Sequence, residues 1–190
     1  MRAPYLATAL LALVLGCQPS SGGDTTPDDD PGTSAGPLGC SRDVIEKDLG
    51  GPGPMAGPNV DPETGELVNL PPTFVVSTTY LTLKEGEEVQ KTFFELLGPI
   101  QEALASQPGL LAVHLASSQT CGTARTLAVW QDEGAMYAFS TGDAHRQAAD
   151  RVDEVSRGTS MVLHWSATKA EEATWESAAK KLGEEEGPFY

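Results

Sequence analysis

The groups of this chain best suited to chemistry at neutral pH are its histidines, with one arginine and one tryptophan. His145 and Arg146 follow Gly142-Asp143, a pair that predicts the start of a helix. Free backbone N–H groups and the helix dipole can hold an anion there, and an imidazole can also act as a base or a metal ligand. The alternative is that His145 serves packing or a subunit contact.

Trp130 closes a predicted strand just before a predicted helix. A ring at such a junction can line a cavity, although packing in the core also explains a large aromatic residue. His114 and His164 lie on other predicted strands, so they can meet on one sheet face or point to opposite faces. No carboxylate stands at ligand spacing beside the three histidines, and we predict no metal site. Trp130, His145 and Arg146 are the predicted catalytic residues.

Nucleophilic catalysis and phosphate binding have no motif in this chain. A GxSxG elbow is missing, and the cysteines have other predicted uses. The glycines around Gly51-Pro52-Gly53 lack a strand before them and a helix after them, which excludes a phosphate loop.

Cys17 follows an apolar run, residues 6–15, which Arg2 precedes and a polar stretch follows. The run is short of the roughly 20 apolar residues of a membrane span and predicts a secretory signal. Val14-Leu15-Gly16-Cys17 resembles the bacterial lipobox, which implies cleavage before Cys17 and its acylation. Residues 1–17 therefore predict a lipoprotein signal, and the protein is expected to be lipid-anchored in the bacterial cell envelope, in the outer membrane facing the periplasm. An ordinary signal with a chance cysteine is the alternative.

Residues 18–72 are crowded with Gly, Pro, Ser and Asp and carry ten acidic residues against two basic ones. Their apolar content is too low to offset the entropy of ordering, which predicts a disordered linker. In an exported protein, Cys40 of this linker and Cys121 form a possible disulfide, with two unpaired thiols as the alternative.

Residues 73–182 hold all three Trp and four of the five Phe and predict one small domain, followed by an acidic tail, 183–190. Composition predicts strands at 73–83, 110–118, 123–130 and 160–167. Helical spacing predicts a helix from 86 to Pro108-Gly109 that Gly98-Pro99 kinks or divides, and helices at 132–140 and from 143. The capping box Thr168-Lys169-Ala170-Glu171 predicts a last helix to about 182. This order predicts a ferredoxin-like βαββαβ fold of the α+β class.

Both faces of the predicted strands are apolar, since Phe74 and Val76 oppose Val75 and Leu81 on the first strand. The helices of such a fold cover one face, so a homodimer with its sheets face to face is expected. An Asp at Val76 or Leu127 is then expected to weaken the dimer. The domain carries a charge of −5 and has no basic patch, which excludes nucleic acid as a partner.

Four short stretches together resemble the dimeric α+β barrel superfamily. They are Pro108-Gly109-Leu110-Leu111 and residues 126–130 (TLAVW), 135–139 (AMYAF) and 142–146 (GDAHR). More narrowly, the chain is similar to the antibiotic-biosynthesis-monooxygenase-like (ABM-like) proteins, including a branch resembling spheroidene monooxygenase. The resemblance implies a dimeric barrel. Its members include cofactor-independent oxygenases of polycyclic aromatic substrates, haem-degrading enzymes and proteins of no known activity.

The haem degraders of this superfamily use a helix histidine on iron, a tryptophan one short helix earlier and an asparagine on the first strand. This chain has Ala149, Phe139 and Thr78 or Thr79 at those places. The resemblance therefore supports neither haem nor a metal here, and it leaves any other cofactor unidentified.

Two functions are consistent with these observations. The first is a lipid-anchored envelope protein whose barrel binds a small apolar ligand or a partner protein without catalysis. The alternative is an oxygenase-like enzyme acting on an apolar or aromatic substrate in the barrel cavity, with Trp130, His145 and Arg146 lining it. Oxygen uptake with quinol or anthrone-type substrates distinguishes the two.

Overall fold

The structure is a computed structural model and describes residues 40–51, 54–187 and 190. The predicted signal, Cys17 and the linker up to residue 39 lie outside the described residues. In the described part, the elements are β1 (Phe74–Thr82), α1 (Glu87–Ser106), β2 (Leu110–Ser118), β3 (Thr123–Trp130), α2 (Glu133–Ser140), α3 (Asp143–Ala149), α4 (Val152–Val155), β4 (Met161–Ala167) and α5 (Trp175–Glu184). None of the described helices is both long and apolar enough to cross a membrane.

The four strands form one antiparallel sheet in the order β2-β3-β1-β4. The central strand β1 pairs with both neighbours, so that Val76 stands opposite Val129 on one side and Trp165 on the other. This topology confirms the predicted ferredoxin-like α+β fold. The strands agree with the predicted ones to within one residue because β-branched and aromatic residues mark them clearly.

The sheet separates two apolar clusters. We call the side with Val75, Ala128 and Trp130 the cavity face; it packs against α1 and α2 through Leu104 and Met136. We call the other side the strap face, which carries Phe74, Val76, Leu127, Val129 and Trp165. Register explains the division, since alternate residues of each strand point to opposite faces.

The strap face is covered by residues 40–51 and 54–72, which we call the N-terminal strap. Four of its partly buried apolar residues pack against the cluster of that face: Met55, Val60, Leu67 and Leu70. Here the structure differs from the predicted disordered linker, which extended to residue 72. These four residues are few for a strap of 31 described positions, but each contacts the sheet, so the strap needs no core of its own.

Cys40 and Cys121 are joined by a disulfide, with their Cα atoms 5.5 Å apart. It fixes the start of the strap beside the turn that connects β2 and β3. Further along, the strap crosses β2 so closely that a Cβ atom on Gly57 would lie 2.4 Å from the Leu111 carbonyl oxygen. Only glycine allows this approach of two backbones.

The last helix, α5, also lies on the strap face, where Ala178 and Leu182 are fully buried. The predicted capping box does not open it. Glu172, rather than Glu171, accepts hydrogen bonds from the N–H groups of Thr168 and Lys169 and closes a 3-10 turn. The N-cap of α5 is Thr174, whose hydroxyl accepts from the Ser177 N–H at 3.2 Å.

Two helices differ from their predicted forms. α1 runs through Gly98-Pro99 as one helix of 20 residues. Pro99 and Glu95 are both exposed, so the Glu95 carbonyl that proline leaves without a donor lies on the solvent side. The helix predicted from residue 143 is divided into α3 and α4.

With the strap and α5 in place, the second face of the sheet is covered. Val76 is 0% exposed and Leu127 is 1% exposed. The premise of the predicted homodimer, an apolar face that the chain cannot cover itself, is therefore wrong.

Candidate functional site

A cavity of about 410 Å³ lies between the cavity face of the sheet and the helices α1 to α3. Its lining is mainly apolar and aromatic, with Phe93 and Leu97 from α1, Leu115 and Ala128 from the sheet, and Phe139 from α2. α1 packs loosely over the sheet, since only Leu104 of its 20 residues is buried. The space between this helix and the sheet forms the cavity. Volume and composition are those of a small-molecule site.

Trp130 lines this cavity and also belongs to the apolar cluster around it, so both interpretations of this residue hold. Its indole Nε1–H donates to the Ser77 hydroxyl at 2.9 Å, and its ring packs against Phe139 with the ring centres 5.3 Å apart. These two contacts hold the ring in a fixed orientation. The Ser77 hydroxyl lines the cavity too and keeps its own proton for donation.

His145 is a polar residue of the cavity lining whose ring is largely surrounded by apolar groups. Its ring packs edge to face on Phe139, and its Nδ1 is buried without a hydrogen-bond partner among the described residues. Burial lowers the pKa of His145 below its ordinary value, while the Ser140 carbonyl opposes this shift more weakly. The imidazole is therefore neutral at pH 7, and His145 lines the cavity with its Nδ1 unpartnered among the described residues.

The mouth of the cavity lies on the side of β4, where the exposed lining residues gather: Phe94, Tyr137, Val162 and His164. Tyr137 of α2 and His164 of β4 contact each other edge to face, with ring centres 5.8 Å apart. β4 is also an outer strand of the sheet, so a ligand can enter there without passing through the core.

The cavity carries little charge. Apart from histidine and tyrosine, Arg125 is the one ionisable residue among its described lining residues, and its guanidinium is paired with Glu46 of the strap. An ionic ligand would find no opposite charge available inside. The cavity thus favours an uncharged ligand.

The structure separates the three predicted catalytic residues. Trp130 and His145 meet in the cavity, but Arg146 does not line it. The Arg146 side chain is 63% exposed and forms an ion pair with Asp143. Neighbouring residues of a helix point about 100° apart, so only one of the pair at 145 and 146 can face the sheet.

The three histidines do not share a site either. His114 lies on the strap face, where it accepts a hydrogen bond from Trp175 Nε1 at 3.2 Å, whereas His145 and His164 line the cavity. Within the described part of the chain, no group of three His, Cys, Asp or Glu residues is placed to hold a metal ion.

Several lining residues did not emerge from the sequence. Ser77 and Thr79 alternate with the buried residues Val76 and Thr78 on β1. Polar side chains at alternate positions of a central strand are the sequence pattern that could have predicted these two lining residues. Tyr137 had no such signal, because the direction of a side chain on an eight-residue helix depends on how that helix docks.

Comparison with known proteins gives a family match for the part of the chain around the cavity. Residues 74–151 match the family described as antibiotic biosynthesis monooxygenase, abbreviated ABM. This range runs from β1 through α3 and includes both Trp130 and His145. No curated protein matches the chain. This part of the chain is thus similar to the ABM family.

Solved structures with similar folds include enzymes and proteins without an assigned function. One is an antibiotic biosynthesis monooxygenase, 17% identical over 50% of this chain and 99% of that one, with a TM-score of 0.44. Another is SnoaB, a cofactor-independent oxygenase from Streptomyces nogalater, 19% identical over 52% and 96%, with a TM-score of 0.40. A third is a protein of unknown function from Nitrosomonas europaea, 12% identical over 52% and 93%, with a TM-score of 0.44.

Proposed function

We propose that this ABM-like domain binds one uncharged, mainly apolar small molecule in the cavity between its sheet and α1 to α3. The observation that carries the proposal is the cavity itself: about 410 Å³, lined by apolar and aromatic residues around a few fixed polar groups. Pockets for small ligands have this size and this ratio of apolar to polar lining.

The polar groups define the ligand further. Nδ1 of neutral His145 can form a hydrogen bond with a ligand hydroxyl, as acceptor in one tautomer and as donor in the other. The Ser77 hydroxyl can donate to a ligand oxygen. The rings of Trp130 and Phe139 offer flat apolar surfaces. A neutral aromatic or polycyclic compound with one or two hydroxyl or carbonyl groups matches this set.

Filling the cavity tests the proposal. In Ala128→Phe the new ring takes up space within the cavity, and binding of the neutral fluorescent probe N-phenyl-1-naphthylamine is expected to weaken about tenfold or more, the loss of about 1.4 kcal/mol of binding free energy. Ala105→Phe places the same ring on the exposed side of α1 and should bind the probe as the unmodified chain does. Circular dichroism is used to check that both variants fold. Equal probe affinity in the two variants would contradict a binding site in this cavity.

A second candidate is oxygenase-like catalysis, favoured by the neutral and unpartnered imidazole of His145. A base must be unprotonated to take a proton from a substrate hydroxyl, and the lowered pKa keeps it so at pH 7. Any oxygen uptake with a quinol or anthrone-type substrate should then be constant above pH 6.5 and decline only as the pH falls through the lowered pKa of His145. Uptake that persists in His145→Leu would exclude this role for the residue.

We also propose that the protein is lipid-anchored at the bacterial envelope through Cys17, which supports a role near a membrane. Cys17→Ser removes the thiol that acylation requires, so incorporation of a labelled fatty acid in a bacterial host should be lost. Ser20→Ala, three residues away, is the matched control and should keep the label. Labelling of Cys17→Ser at the control level would remove the anchor from this proposal.

A further inference from the structure

We infer that this chain closes both faces of its sheet by itself and works as a monomer, with the N-terminal strap and α5 in the place that a second copy would take. The residues on which a face-to-face dimer would depend are inaccessible, as the 0% exposure of Val76 and the 1% exposure of Leu127 show. This inference is independent of what the cavity binds.

The strap is attached to the sheet by its backbone as well as by its side chains. Gly50 and Ser117 exchange two backbone hydrogen bonds, of 3.0 and 2.8 Å, and Ala56 and Val113 exchange two more, of 2.9 and 2.8 Å. Asn59 donates to the Leu111 carbonyl at 3.0 Å. These bonds occupy the outer edge of β2, so the strap covers that edge together with the face.

The first part of the strap is held by a buried charge. Arg125 of β3 donates from Nε to Glu46 Oε1 at 3.0 Å and from a terminal nitrogen to the Val44 carbonyl at 2.8 Å. The Glu46 and Arg125 side chains are 1% and 0% exposed. The Cys40–Cys121 disulfide secures the same end covalently. A second copy that approached this face would have to separate the ion pair and leave both charges without partners.

A carboxylate reinforces this end. Asp48 accepts hydrogen bonds from the Ser118 hydroxyl at 2.6 Å and from the Thr120 N–H at 2.9 Å. These two donors lower the pKa of Asp48 to about 2. Because the folded pKa lies below the ordinary value of 3.8, this contribution is complete above about pH 4 and is lost as the pH falls through about 2. The contact therefore persists at any pH near neutrality.

α5 covers the rest of the face. Ala178 and Leu182 are fully buried, and Lys181 Nζ lies over the Trp165 ring, 5.3 Å from its centre. Trp175 Nε1 is bonded to His114 of β2. The strap and α5 thus lie on one face of the sheet, and the cavity lies on the opposite face, between the sheet and α1 to α3.

The test uses the chain from residue 18, which lacks the predicted signal and acylation site and keeps every described residue. Light scattering at 5 to 200 µM should give the mass of one chain throughout. Hydrogen exchange should show protected amides at Gly50, Ala56 and Asn59, the strap donors to β2. A mass of two chains that depends on concentration, or strap amides that exchange as fast as unfolded peptide, would overturn the inference.

A release variant supplies a second readout. In Gly57→Ala the new methyl would lie 2.6 Å from the Ala112 Cα atom, so the strap must move away from β2. We expect faster exchange at Ala56 and self-association at concentrations where the unmodified chain is a monomer. Gly98→Ala adds a methyl in open space on α1 and should leave both readouts unchanged. Free exchange at Ala56 with no change in mass would show that the strap is not what keeps copies apart.

Discussion

Val76→Asp is expected to destabilise the folded protein strongly. Val76 lies in the centre of β1, is 0% exposed, and packs between Val129 and Trp165 on the strap face. An aspartate there has no cation within its cluster, so it must bury a charge or fold only when protonated. We expect a loss of about 4 kcal/mol or more in the free energy of unfolding, a large part of the 5–15 kcal/mol of a typical domain.

Val162→Asp is the matched control, because Val162 lies on β4 with 49% of its surface exposed. A charge at an exposed edge position should change the free energy of unfolding by about 0.5 kcal/mol or less. Urea unfolding at pH 7, followed by circular dichroism, measures both variants. The same comparison shows whether Val76 packs in the core or at a dimer interface. If Val76→Asp folds stably and only its association changes, the face-to-face dimer is the better interpretation.

Glu46→Ala is expected to cost about 3–5 kcal/mol, because it leaves the Arg125 charge buried without its anion. Glu46 also accepts a hydrogen bond from the Thr123 hydroxyl at 2.7 Å, and the Arg125 guanidinium lies 4.5 Å from the centre of the Tyr80 ring. The guanidinium keeps the Val44 carbonyl as an acceptor, but a neutral carbonyl does not balance its charge. The strap should loosen along with the loss of global stability.

Glu154→Ala provides the comparison. It also removes the carboxylate of an Arg–Glu pair, yet Glu154 of α4 and Arg151 at its N-cap are about half exposed and only three residues apart. Such pairs contribute about 0.2–1 kcal/mol. Urea unfolding at pH 7 should separate the two variants clearly. If Glu46→Ala costs no more than Glu154→Ala, water reaches Arg125 and the strap is not tightly closed.

The sequence by itself determined the sheet and the family resemblance. β-Branched and aromatic runs are short-range signals, and the strands they predicted match the observed ones closely. Two of the three predicted site residues line the cavity as well. Trp130 ends β3 and His145 lies in the first turn of α3, and both of these element ends adjoin the cavity.

Only the tertiary structure decided how the second face is covered. Met55, Val60, Leu67 and Leu70 lie among prolines and glycines that exclude a regular helix or strand, and their partners lie on the sheet. Glu46 and Arg125 are 79 positions apart, and neither signals the other locally. The strap is ordered only by packing on a sheet formed by distant residues, so its own composition is that of a linker. Its structure therefore depends on long-range contacts that local patterns do not contain.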